Sequence, residues 1–120
     1  MLPIEVDGRL GQQSGDHLDA VAMPVGGIGT GTVWVAGDGR LPVWQIFNNY
    51  DELPIPDTFL AIRIGKVTSD GAFAGGEVRV LQRGEGWGMT GFSDVTCVGE
   101  YPILHTTFRD DDLPVTIDLE

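Results

Sequence analysis

The sequence predicts an all-β fold of short antiparallel strands, on three observations. Apolar and polar side chains alternate in several short runs with the period of two that a half-buried strand requires. The 18 glycines and 7 prolines, a high number for a helical protein, fall between those runs like turn punctuation. The stretch 23–48 places Gly26, Gly27, Gly29 and Gly31 directly before the apolar run Thr32-Val33-Trp34-Val35-Ala36, then turns back at Gly37-Asp38-Gly39 into Leu41–Asn48. This reads as a glycine-lined loop followed by a β-hairpin, with backbone packed closely around the glycines.

Taken in order, Pro3–Asp7 suits an edge strand, and the polar run from Gly8 to Asp19, with its linker-like Gly11–Gly15, suits a surface loop. After the hairpin, Asn49–Asp57 contains two prolines and three acids, a composition for an irregular connection rather than for a sheet interior. Phe59–Ile64 reads as a strand with Leu60, Ile62 and Ile64 on one face, and Lys66–Gly76 as a loop. Glu77–Leu81 alternates again, with Val78 and Val80 inward and Glu77 and Arg79 outward. Arg83–Met89 is a second glycine-rich loop. Trp87 within it has two readings, a plug for the end of the sheet or a platform for a sugar face, and the ordinary burial of large aromatics favours the plug.

Tyr101–Arg109 and Leu113–Glu120 form the clearest alternating pair, separated by Asp110-Asp111-Asp112. Leu113, Val115, Ile117 and Leu119 share one face, while His105 shares its side with Ile103 and Thr107 as a packed or hydrogen-bonded residue. The alternation still runs at Glu120, as expected for the front part of something longer. Cys97, between Thr96 and Val98, reads as a small core residue.

The 120 residues, 42% hydrophobic and 21% charged, suffice for one domain with a real core. A formal charge of −11 opposes binding to nucleic acid and to anionic lipid. A single cysteine and two separated histidines make neither a disulfide nor a metal signature. No cofactor is expected. The absence of a signal-like N-terminus or of an apolar run long enough for a transmembrane segment leads to the expectation of a cytoplasmic protein.

The glycine loop fails the tests for a nucleotide cradle. A dinucleotide fingerprint starting at Gly27 requires a third glycine where Thr32 stands, and one starting at Gly29 requires it at Trp34. The residues that follow are β-branched and aromatic, so no helix is expected to offer its N-terminus, and the loop has no lysine for a P-loop. The carboxylates at Asp51-Glu52, at Asp110–Asp112 and at Asp118 with Glu120 fall in turns or on outward strand faces. No Gly-x-Ser-x-Gly elbow is present. No catalytic residue is assigned.

The motifs Pro24–Val33 (PVGGIGTGTV), Gly37–Arg40 (GDGR) and Trp44–Asn48 (WQIFN) resemble the opening of glycoside hydrolase family 116. Pro56–Arg63, Gly99–Pro102 and Leu113–Val115 continue the resemblance in the same order, over roughly residues 20–120. It implies part of an N-terminal β-sandwich, the family's catalytic (α/α)6 barrel lying beyond this sequence, in a parent that is a retaining β-glycosidase of the β-glucosidase or glucosylceramidase kind. Neither catalytic carboxylate can be placed here. The implied division is an edge segment and loop at 1–22 and a partial sandwich at 23–120. The implied partners are the (α/α)6 domain of the same parent and its β-glucoside or glycolipid substrate.

Gly26, Gly27, Gly29, Gly31, Trp44, Gln45 and Asn48 are the candidates for a domain interface or a substrate-proximal surface, and Trp87 for sugar stacking. A second hypothesis is a free-standing carbohydrate-binding or protein-interaction module, in which Trp34, Trp44 or Trp87 offers a platform.

Overall fold

The computed structural model describes residues 11–46, 53–55 and 58–120, which hold twelve short strands. β1 (Gln12–Ser14) runs through a 3-10 helix (Gly15–Ala20) into β2 (Ala22–Val25), β3 (Thr32–Ala36), β4 (Val43–Gln45) and β5 (Leu53–Pro54). β6 (Ala61–Val67) and β7 (Phe73–Val80) form a long hairpin, and β8 (Glu85–Gly86) and β9 (Met89–Thr90) a very short one. β10 (Asp94–Glu100), β11 (Ile103–Arg109) and β12 (Ile117–Leu119) complete the order. One four-stranded sheet is ordered β1-β10-β11-β12 and the other β2-β3-β4-β5, with every strand pairing antiparallel. The fold is all-β, as its alternating runs predict.

Both sheets supply one core. Val95 and Cys97 of β10 and Leu104 and Phe108 of β11 meet Val35 of β3, while Leu18 of the 3-10 helix, Leu81 and Phe92 close the ends. In β11 the buried positions are Leu104, Thr106 and Phe108, so the inward face is the one opposite His105. Ile117 and Leu119 of β12 pack on the margin while Asp118 points out. The Phe92 and Phe108 rings meet tilted at 54° with centroids 5.6 Å apart. Each such side chain contributes roughly 1.5–3 kcal/mol by leaving water.

The Gly37-Asp38-Gly39 turn is part of this core. A Cβ on Gly39 would lie 2.2 Å from the Leu81 carbonyl oxygen and 2.9 Å from the Phe108 ring, so only glycine lets β3 return across that contact. Asp38 is buried, accepting from the Arg40 amide at 3.0 Å, and its carbonyl accepts from the Arg83 amide at 2.9 Å. The hairpin that the sequence predicts thereby anchors both sheets to the segment after β7.

Four expectations need correction. The linker-like Gly11–Gly15 contains β1, an edge strand with Gln13 opposite Cys97; an edge strand needs only backbone pairing on one side and tolerates polar side chains. Within the expected irregular connection, Leu53–Pro54 pairs with β4 at the sheet edge, the position where proline costs no ladder bond; Asn49–Glu52, Pro56 and Asp57 lie outside the described residues, as does the Pro3–Asp7 strand. The expected loop Lys66–Gly76 is mostly strand, because the ladder continues past a β-bulge opposite Gly65 and turns only between Val67 and Phe73.

Finally, Val78 is 46% exposed and Arg79 only 6%. Val80, on the same face as Val78, is fully buried as expected, so the end of β7 is covered on both faces. Arg79 lies inside with its guanidinium engaged in part: Nη1 donates to the Gly91 carbonyl at 2.9 Å and lies 3.6 Å from Asp110 Oδ2, and Nε lies beside the Glu77 carboxylate without a hydrogen bond to it.

Candidate functional site

The glycine loop is itself a turn, joining β2 to β3 with Val25 opposite Val33. Two of its glycines are required by close approach. A Cβ on Gly26 would stand 2.2 Å from the Gly31 carbonyl oxygen, and one on Gly31 2.4 Å from that of Gln45. Between them Thr30 closes the turn, its hydroxyl donating to the Gly27 carbonyl at 2.8 Å and lying 2.9 Å from the Gly27 amide, which donates to it. Gly27 and Gly29 are uncrowded, and Ile28 at the tip is fully exposed. The loop is thus a small finger clamped at its base against β4, with an apolar tip.

The structure separates two neighbouring candidates. The register pairs Trp44 with Val33 and Gln45 with Thr32, so the two side chains leave opposite faces of the sheet. Gln45 joins Thr32 and Trp34 instead: its Oε1 accepts from the Trp34 indole at 3.1 Å and from the Thr32 hydroxyl at 3.3 Å. An indole N–H only donates, so the amide oxygen must face it and the amide nitrogen is turned away. Trp44 buries its indole nitrogen without a partner among the described residues. Asn48 lies outside the described residues. The Thr32–Trp34–Gln45 cluster was recoverable in principle, since alternation puts Thr32 and Trp34 on one face and the short turn sets Gln45 across from them.

Trp87 sits elsewhere, at the tip of the β8–β9 hairpin. It is 48% exposed and stacks on Phe59 at 5.9 Å with the rings 21° apart. The expected plug is therefore a half-open platform, and its partner Phe59 carried no signal in the sequence.

Two grooves flank the sheets. One of about 500 Å³ lies on the β1-β10-β11-β12 sheet and includes Gln12, Thr96, His105, Thr107 and Asp118, with the Thr107 hydroxyl donating to Asp118 at 2.7 Å. The other, about 470 Å³, is apolar and lies between Val25 and Leu41 on one side and Ile103 and Leu119 on the other.

Several charged groups hold turns. Asp38 pairs with Arg40 and Asp16 with Arg83. The Asp112 amide, followed by Ser93 and the Arg79 charge, holds the Asp110 carboxyl below the usual carboxylate range. In the β6–β7 turn the Thr68 hydroxyl and the Ala72 amide do the same for Asp70. Burial pushes the Cys97 thiol up, against the smaller opposing pull of Thr106 across the ladder. Among the described residues no group of three His, Cys, Asp or Glu side chains could hold a metal ion, and no helix is long and apolar enough to cross a membrane.

The sequence model of the family described as beta-glucosidase 2, glycosyl-hydrolase family 116 N-term matches residues 22–120. No curated protein and no solved structure matches the chain. The match begins at β2 and takes in the glycine finger, the β2-β3-β4-β5 sheet, the β6–β7 hairpin and β10 to β12, while β1 precedes it. The chain therefore belongs to glycoside hydrolase family 116, within the family's N-terminal domain.

Proposed function

We propose that this chain is the non-catalytic β-sandwich part of a retaining β-glycosidase, and that hydrolysis of β-glucosides, glucosylceramide-like lipids among them, is carried out by an (α/α)6 domain of the same parent protein. The observation that carries this reading is the β6–β7 hairpin. It is exposed on both strands, with Val67 71% and Phe73 47% accessible at the turn end and Val78 46% nearer the base. A two-stranded ribbon is marginal in water by itself, and exposed apolar side chains along it form a surface suited to another domain. The finger tip at Ile28 adds a second apolar projection.

The carboxylates support the same division of labour. Asp16, Asp38, Glu77 and Asp110 pair with arginines, which is structural rather than acid–base work. The parent is proposed to be cytoplasmic.

The test is hydrolysis of a chromogenic aryl β-glucoside by the purified chain and by the parent protein. The expected result is turnover by the parent with retention of anomeric configuration and none by the chain. Turnover by the chain alone, abolished by substitution of one of its own carboxylates, would overturn the reading.

A further inference from the structure

We propose that Trp87 and Phe59 form a stacking site for the flat face of a neutral, β-linked hexopyranose. Trp87 and Gly88 occupy the two central positions of the β8–β9 turn, with φ of 59° and 70°. Positive φ at both positions is the demand of a type I′ turn, which asparagine, aspartate or glycine meets easily and a bulky aromatic meets only with strain. Local turn chemistry therefore argues against tryptophan at this place.

Burial does not account for it either. Nearly half of the Trp87 surface is open, and the ring it rests on, Phe59, is 37% exposed. The two rings, inclined by only 21° with centroids 5.9 Å apart, form an offset stack in which Phe59 backs the indole. Backbone strain retained to hold an exposed side chain points to a binding role for that side chain.

The chemistry of the site selects the ligand. A pyranose whose substituents are all equatorial presents a flat face of C–H groups that matches an aromatic platform, while its rim of hydroxyls needs donors and acceptors. Glu85 and Thr90, both exposed and paired across the hairpin one step beyond Gly86 and Met89, supply them. A chain carrying −11 repels phosphorylated or acidic ligands and leaves neutral sugars favoured. This site is separate from the finger and from the outer half of the β6–β7 hairpin, and the proposal stands apart from the assignment of catalysis to another domain.

The experiment is a titration of the full chain with cellotetraose, with maltotetraose as the comparison sugar, following the three indole N–H resonances by NMR. The expected result is a saturable shift of the Trp87 signal by cellotetraose, larger than with maltotetraose. Trp87→Ala, Trp87→Asn and Phe59→Ala should each weaken binding, the Trp87 variants by about tenfold or more. Trp87→Asn should melt at or above the temperature of the unaltered chain, because asparagine suits the turn; this separates loss of binding from loss of fold. A Trp87 resonance unmoved by cellotetraose, or a folded Trp87→Asn chain that binds it undiminished, would overturn the proposal.

Discussion

Arg79 Nη1 lies 3.6 Å from Asp110 Oδ2, joining β7 to the turn between β11 and β12 through a guanidinium whose side chain is only 8% exposed. The same nitrogen donates to the Gly91 carbonyl at 2.9 Å, so one side chain ties three segments together. Replacing Arg79 with methionine keeps much of the aliphatic volume but removes the donor to the Gly91 carbonyl and the charge beside Asp110, which keeps its bonds from the Ser93 and Asp112 amides. The loss is mainly that of the Arg79 hydrogen bond to the Gly91 carbonyl, since the half-buried Asp110 retains both amide donors. Urea unfolding should show the Arg79→Met midpoint well below that of the unaltered chain, while Arg63→Met in the exposed hairpin should change it little.

Two hydrogen-bonded carboxylates give the fold an acid sensitivity of definite sign. Asp110 and Asp70 both have carboxyls held below the ordinary value in the folded chain, Asp110 mainly by the Asp112 amide and Asp70 mainly by the Thr68 hydroxyl. A lowered folded-state pKa contributes stability that is present above the unfolded carboxylate value of about 3.9 and is lost as pH falls through the folded value. Stability should therefore decline below about pH 4. Asp110→Asn and Asp70→Asn should each start lower at neutral pH and lose less on acidification, as measured by urea midpoints across that range.

The glycine finger distinguishes conformational need from crowding. Gly29 has φ of +75° with nothing within 4 Å of a built Cβ, whereas Gly31 has φ of +85° and a Cβ that would lie 2.4 Å from the Gln45 carbonyl oxygen. Gly29→Ala carries only the backbone term, about 1 kcal/mol. Gly31→Ala must in addition push β4 away, and the Thr32 and Trp34 bonds to Gln45 move with it. Thermal melting should place Gly31→Ala clearly below Gly29→Ala, with loss of tryptophan near-UV signal in Gly31→Ala alone.

The residues that were legible are those for which local pattern and global burial agree. Thr32–Ala36, the Gly-Asp-Gly turn and Ile103–Arg109 carry both the period of two and turn residues at their ends, and they became β3, its turn and β11. β1 was hidden because Gln12–Ser14 has no apolar face; its place is set by the open edge of β10. The β6–β7 hairpin was read short because Gly75-Gly76 signals a loop, yet there the glycines accommodate a bulge within the ladder. Arg79 is buried beside the expected Val80 because Gly91 and Asp110, distant in sequence, meet its guanidinium, which local alternation does not encode.

At the candidate sites, the separation of Gln45 from Trp44 is legible from the sequence as well as the residues themselves. The strand's alternation makes that separation inevitable once both lie in β4. The pairing of Trp87 with Phe59 depends on how the β8–β9 hairpin lies near the start of β6, which no local pattern encodes.

The central claim, that this sandwich is a structural partner for the rest of a β-glycosidase, is tested most directly by sedimentation of the purified chain with the separately purified remainder of its parent protein. The account predicts a stoichiometric complex for the unaltered chain and a weakened one for the Val67→Asp, Phe73→Asp double variant, whose own melting temperature should stay near that of the unaltered chain because both side chains are exposed. Independent sedimentation of the two unaltered pieces, each folded, would contradict it.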